Sequence, residues 1–190
     1  MAYILGWFFS DGNVSKEGNQ ISIHLHIKDH YILEKIRKIM KSERPIDIYA
    51  RSSYLRINSK ILGKDLIKLG CIPRKSLTLN FPFIQDKFLS HFVRGYFEGD
   101  GSIHFNKPNT IKITFIGTKQ FLEELQERLY KLLGLKKHPI KQDRTFWVFE
   151  YYGDNARRLC KWMYKNAKNL YLERKKDRFD RHMRLRNGKI

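Results

Sequence analysis

Two stretches of the chain repeat one frame. Ile4-Leu5-Gly6-Trp7-Phe8-Phe9-Ser10-Asp11-Gly12 and Val93-Arg94-Gly95-Tyr96-Phe97-Glu98-Gly99-Asp100-Gly101 both read apolar-x-Gly-x-x-x-small-Asp-Gly, and the second lies 89 positions after the first (100 − 11) in a chain of 190 residues. A repeat at about half the chain length constrains the fold to two copies of one unit about a pseudo-twofold axis. The two Asp side chains are then expected to meet near that axis.

The patterning around the repeats agrees. Gln20 to Ile27 alternates apolar and polar residues, as a half-buried strand does. His30 to Lys41 has helical spacing through Ile32, Leu33, Ile36 and Ile39. Residues 46–51 and 54–58 read as a hairpin turning at Ser52-Ser53, with Ile46, Ile48, Leu55 and Ile57 on one face. Leu62 to Leu69 is a short helix stopped by Gly70. The second copy has a motif helix near Leu89 to Glu98, strands at 102–105 and 110–115, and a helix marked by Phe121, Leu125 and Leu129. A hairpin over 140–152 follows, with a turn near Asp143-Arg144, then a helix from Asn155 with Asp154 as N-cap. The fold class expected is α+β, two αββαββα units at 1–80 and 89–190 joined by a short apolar connection at 81–88.

Charge narrows the partner. Thirty-eight Lys and Arg against 19 Asp and Glu give a net charge of +19, an excess that opposes compaction and so points to a polyanion, nucleic acid above all. No apolar run approaches the length of a membrane span, and no secretory leader precedes the first motif. Cys71 and Cys160 lack metal-type spacing and read as reduced core thiols. These features suggest the cytoplasm of a bacterial or archaeal cell or an organellar matrix, not secretion.

The repeated motif carries chemistry. Gly12 and Gly101 are expected to take the left-handed conformation that ends a helix. Asp11 and Asp100 then sit at helix C-termini, where the macrodipole is already negative. Gly6 with Ser10, and Gly95 with Gly99, put small residues on one face of each helix, so the helices can pack closely and bring their ends together. Hard oxygen ligands of this kind suit Mg²⁺, with Mn²⁺ or Ca²⁺ able to take the same sites. The expected metal centre is Asp11, Asp100 and the adjoining Gly12 and Gly101. A divalent centre of this type can activate water and stabilise the leaving oxygen of a phosphodiester.

Both segments resemble the signature of the LAGLIDADG homing endonucleases in their single-chain form. The likeness extends to Arg74-Lys75-Ser76, Phe81-Pro82, His91 to Gly95 and Tyr171-Leu172-Glu173-Arg174-Lys175. It implies that Asp11 and Asp100 bind divalent metal and that the motif helices form the interface between halves. It further implies two saddle-shaped antiparallel sheets gripping a long double-stranded DNA target, and cleavage of both strands with short 3′ overhangs. A lysine near each half-site helps such enzymes polarise the scissile phosphate or orient water; Lys75 and Lys175 are the candidates, with Lys176 an adjacent competitor. The sequence departs from the pattern at Phe9, where Glu98 is the mate in the second copy. The enzyme is expected to act as a monomer. An RNA maturase acting on intron RNA, or a DNA-binding regulator on the same scaffold, is the alternative.

Strand polar faces supply base-reading types, since Arg or Lys can read guanine and Asn or Gln adenine in the major groove. The candidates are Gln20, Ser22, His24, His26, Tyr49, Arg51, Tyr54, Arg56 and Asn58 in the first unit, and Lys112, Thr114, Lys141, Gln142 and Arg144 in the second. The basic run Arg174 to Arg186 reads as a helix or tail lying along phosphates.

Overall fold

The computed structural model describes residues 1–107 and 110–186; positions 108–109 and 187–190, all within the expected second unit, lie outside the described residues. In chain order α1 (Ala2–Phe9), β1 (Gly12–Val14), β2 (Gln20–His26), α2 (His30–Ile39), β3 (Asp47–Tyr49), β4 (Ser52–Asn58) and α3 (Lys60–Lys68) make one pattern. It recurs as α4 (Asp86–Asp100), β5 (Ser102–Lys107), β6 (Thr110–Gly117), α5 (Lys119–Leu133), β7 (Lys141–Asp143), β8 (Phe146–Tyr152) and α6 (Gly153–Tyr164), followed by α7 (Glu173–Arg186). Two four-stranded antiparallel sheets result, ordered β1-β2-β4-β3 and β5-β6-β8-β7. The α+β class and the αββαββα order are as the repeat suggested.

Strand alternation decides which face is covered. Ile21, Ile23 and Leu25 of β2 with Leu55 of β4 are buried beneath Ile32, Leu33 and Ile36 of α2. Ile111, Ile113 and Phe115 of β6 with Phe149 and Tyr151 of β8 are buried beneath Leu122, Leu125 and Leu129 of α5. Each such side chain stabilises the fold by about 1.5–3 kcal/mol relative to exposure. The polar faces stay open. Helix ends follow local chemistry: the Ser59 hydroxyl accepts from the Leu62 N–H at 3.2 Å to start α3, and Thr118 does the same for Phe121 to start α5. Cys71 and Cys160 are buried and unpaired. Among the described residues no helix is long and apolar enough to cross a membrane.

Several boundaries differ from the pattern reading. The first hairpin turns at Ala50 and Arg51, with Ala50 at φ 50, and Ser52-Ser53 belong to β4. The faces survive because the shift is two residues, an even number. Ile48, assigned to the apolar face, is 57% exposed because β3 is a three-residue edge strand with little above it. Helix α4 begins at Asp86, inside the 81–88 connection, and includes Asp100. Asp154 lies within the first turn of α6 instead of capping it, and pairs with Arg157.

The basic C-terminal run is helical, but it is not a tail. Lys175 of α7 is buried against the end of α4, Phe179 against Tyr164 of α6 and His182 against Phe105 of β5, and Arg178 donates to the Ile103 carbonyl at 3.0 Å. Only its outer face is left for phosphates. The start of α7 also clasps the first unit. Arg174 pairs with Asp29 at 3.0 Å, and the Glu173 N–H donates to the Tyr31 hydroxyl at 2.5 Å.

Candidate metal centre and nucleic-acid face

Helices α1 and α4 lie side by side and point the same way. A Cβ on Gly6 would run into the Phe92 carbonyl oxygen and sit 2.6 Å from the Tyr96 nitrogen; one on Gly95 would run into the Tyr3 carbonyl oxygen. At the C-terminal end, a Cβ on Gly99 would run into Ser10 Oγ and lie 2.8 Å from Asp11 Oδ2. The small-residue stripes therefore face each other, and Asp11 reaches across to the residue adjoining Asp100.

The glycines after the acids serve a different purpose from the one expected. Gly101 is extended (φ −87, ψ 167), and Gly12 opens β1; neither is left-handed. What each needs is space. A Cβ on Gly12 would lie 2.6 Å from the Phe8 carbonyl oxygen, and one on Gly101 2.6 Å from that of Phe97. The chain folds straight back over the last helical turn, and only a residue without a side chain fits there.

Two buried lysines close these ends in matching ways. Lys75 Nζ donates to the carbonyls of Ser10 (3.0 Å) and Gly12. Lys175 Nζ donates to those of Gly99 (3.4 Å) and Gly101 (2.5 Å), and also to Phe97 and Glu98, both at 2.7 Å. Ser10 and Gly99 are repeat mates, as are Gly12 and Gly101, so the two clasps are equivalent. Each ammonium stands at the negative pole of a motif helix. Arg74, just before Lys75, is left-handed at φ 57, a costly conformation for a residue with a Cβ. The competitor Lys176 is engaged elsewhere, pairing with Asp180 at 2.6 Å. Burial lowers both clasp lysines' pKa values; Lys175, with Arg174 beside it, is pushed down to about 7.

The acids are shifted the other way. Asp11 keeps one flank open to solvent, while the protein crowding its other flank raises its carboxyl above the usual range against the pull of Lys175 and Lys75. Asp100 is half-buried and is pushed up to about 7 by burial first and by the Asp11 charge second. Two carboxylates brought to one place, with the Asp11 charge opposing ionisation of Asp100, fit a shared hard cation. Among the described residues no group of three or more His, Cys, Asp or Glu is placed to hold a metal. The protein would thus supply two carboxylates and leave water and phosphate oxygens to complete the shell, as Mg²⁺ prefers. The carbonyls of Gly12 and Gly101, expected as ligands, each accept from a clasp lysine. A recess of about 210 Å³ opens beside this centre, lined by Ser10, Lys75, Asp100 and Thr118 among others. Larger cavities of about 430 and 980 Å³ border Met1 and Phe88 and touch neither carboxylate.

Glu98 stands apart from this centre. Fully buried, it accepts from the Tyr3 hydroxyl at 2.5 Å across the helix pair. Its repeat mate Phe9 packs edge-on against Phe92 with ring centroids 5.5 Å apart. Both side chains fill the interface, so the departure at Phe9 changes packing and leaves the Asp pair intact.

Register sorts the candidate nucleic-acid residues. Gln20 pairs with Asn58, Ser22 with Arg56 and His24 with Tyr54, all on the face opposite the core. Tyr49 joins them through its pairing with Ser52, while Arg51 sits in the turn. His26 also accepts from the Lys28 N–H at 3.1 Å, so it helps shape the strand's end. In the second sheet Lys112, Thr114 and Lys141 lie on the open face, and Arg144 is in the turn at φ 55. Gln142 does not join them: it pairs with Trp147, on the side of the apolar residues. Asp47 shares the open face of the first sheet, as the alternation of the hairpin indicates, through its pairing with Tyr54. The sequence reading passed over Glu150 and Tyr152, which share the open face of the second sheet and which alternation from Phe146 and Val148 would have found.

No protein-family model matches the sequence, and no curated protein matches it. Solved structures do. The LAGLIDADG meganuclease I-AabMI bound to uncleaved DNA superposes with a TM-score of 0.65 at 14% identity, covering 98% of this chain and 91% of that one. The LAGLIDADG homing endonuclease I-LtrWI bound to target DNA gives 0.65 at 11%, covering 98% and 90%, and I-SmaMI bound to cleaved DNA gives 0.63 at 12%, also covering 98% and 90%. The resemblance read from the two motifs is thereby matched in three dimensions, and this chain has the fold of the LAGLIDADG homing endonucleases over nearly its whole length.

Proposed function

We propose that the chain is a single-chain homing endonuclease of the LAGLIDADG family, which cuts both strands of a long DNA target in a divalent-metal-dependent reaction and leaves short 3′ overhangs. One observation carries the reading: two helices from the two repeats end together, each presenting an Asp and each closed by a buried lysine on equivalent carbonyls. The DNA-bound and DNA-cleaved states of I-AabMI, I-LtrWI and I-SmaMI, which share this fold, support it.

Asp11 and Asp100 would hold the cation, with Mg²⁺ the natural occupant and Mn²⁺ or Ca²⁺ able to replace it. When bound, the cation supplies Lewis acidity for water activation and charge neutralisation at the leaving oxygen. The chain's own contribution is placement and field. Lys75 and Lys175 fix both helix ends and set positive charge behind each acid, which favours a phosphate between the halves. The open sheet faces and the outer side of α7 neutralise backbone phosphates. A monomer suffices, because one chain supplies both halves of the centre. Action is expected wherever host DNA is kept inside the cell, in cytoplasm or organellar matrix.

The test is to incubate the full chain with a randomised duplex library, with Mg²⁺ and with chelator, and to sequence the ends. Breaks in both strands at a recurrent sequence, with short 3′ overhangs and only with metal, are the expected result. Specific binding of intron RNA without DNA cutting would instead favour the maturase.

A further inference from the structure

Acidic side chains on the open sheet faces are out of place on a surface meant for a polyanion. Among the described residues, Asp47 is the one acid in the strands of the first sheet. The second sheet has Asp143 at a strand end beside its turn and Glu150 in mid-strand. Asp47 and Glu150 each hold a cation. Asp47 Oδ2 accepts from Arg56 Nη1 at 2.5 Å, and Glu150 Oε1 accepts from Lys112 Nζ at 2.8 Å.

Each pair is also buttressed by aromatic or hydroxyl groups on the same face. The Arg56 guanidinium lies 4.4 Å from the Tyr54 ring centre, and Tyr54 is stacked on His24 with centroids 4.3 Å apart and planes 2° from parallel. Across the pseudo-twofold, Glu150 also accepts from Thr114 at 3.2 Å and from the Tyr152 hydroxyl. The two blocks lie on equivalent faces, but their members are not repeat mates. Asn13 faces Ser22 and Ser102 faces Thr114, so Ser22–Arg56 matches Thr114–Glu150, with the cation of one half at the position of the acid in the other.

Exposed ion pairs add little to stability, and the side chains here are 22 to 47% exposed. Carboxylates facing DNA also repel its phosphates. Neither fold nor general affinity accounts for them. A long cation free to move neutralises phosphates at any sequence, whereas one fixed in a single rotamer can meet a base edge without losing further side-chain freedom. Arg and Lys so held suit the O6 and N7 acceptors of guanine in the major groove.

We infer that Asp47 and Glu150 are positioning residues for sequence choice, fixing Arg56 and Lys112 to read guanine edges, one in each half of the target. The inference rests on the DNA-targeting reading above. It assigns to each unit one carboxylate-held cation that trades affinity for discrimination.

The experiment is selection of bound duplexes from a randomised library in Ca²⁺, followed by sequencing, for wild type, Asp47→Asn, Arg56→Ala, Glu150→Gln and the double variant Asp47→Asn/Arg56→Ala. Binding is read without cleavage. Asp47→Asn is expected to lose about 10-fold of guanine preference at a position in one half-site only. Arg56→Ala should lose it at the same position, and the double variant no more than Arg56→Ala alone. Glu150→Gln should do the same in the other half-site, with affinity for unrelated DNA held or raised in every acid variant. An unchanged sequence profile with uniformly tighter binding would overturn the inference while leaving DNA targeting intact. Failure of wild type to enrich any sequence would instead remove the reading on which it rests.

Discussion

The two halves reach the same centre by different means. In the first, α1 is eight residues long, nearly all apolar, and ends at Phe9, with Ser10 as its cap. In the second, α4 is fifteen residues long, carries the buried Arg94 and Glu98, and runs through Asp100 itself. Phe9 packs edge-on against Phe92 where Glu98 forms a hydrogen bond. Lys75 arrives on a tight turn after a left-handed Arg74, whereas Lys175 arrives on the first turn of α7. What the halves keep in common is narrow: close-approach glycines, an Asp, a glycine with no room for a side chain, and a lysine on two equivalent carbonyls. The shared features mark the centre, and the interface between the helices tolerates divergence around it.

Breaking the clasps gives the largest effect. Lys75→Met and Lys175→Met each keep the apolar stem but remove the charge, and each should lower double-strand cleavage by about 100-fold or more. Strand-resolved rates on one target would show whether the clasps are equivalent: loss with one variant only would break the symmetry drawn here. Next is the helix contact. Gly6→Ala and Gly95→Ala meet backbone atoms that cannot rotate away, so each should destabilise by about 3 kcal/mol or more in chemical denaturation. A free energy change below about 1 kcal/mol would mean that the helices do not lie this close.

A pH titration of metal-free protein separates the acids from the interface. The folded-state pKa of Asp100 is raised to about 7 from an ordinary 3.8, so the folded protein binds this proton more tightly than the unfolded chain. The Asp100 contribution is therefore most favourable at low pH and declines as pH rises from about 4 to 7. Asp100→Asn should flatten that part of the curve, and Mg²⁺ should stabilise wild type more at pH 8 than at pH 5. The smallest effect belongs to Glu98→Gln, which keeps an acceptor for Tyr3 and should cost about 1 kcal/mol without removing cleavage.

Much of this was legible in the sequence because the repeat is exact in frame. Asp11, Asp100 and the small-residue stripes followed from spacing, and the strand faces followed from alternation at Gln20 to His26. The resemblance supplied Lys75 and Lys175, which charge counting could not pick out among 38 basic residues. Other features depend on tertiary contact. Gly12 and Gly101 looked like helix-ending glycines, but the return of the chain over Phe8 and Phe97 sets their requirement. Gln142 was placed by its residue type, while the register of β7 against β8 decides where it points. Burial of Lys175 and His182 within so basic a helix follows only from its packing on the end of α4 and on β5.

The central claim is that one acid from each half serves a single cation-dependent centre. The direct measurement is Mg²⁺-dependent double-strand cleavage of a selected target by Asp11→Asn and Asp100→Asn, with DNA binding followed in parallel. Both variants should bind like wild type and lose at least about 100-fold in cutting, since even the groups that merely orient metal ligands are worth 10–100-fold. Full cutting of both strands by either variant would contradict it.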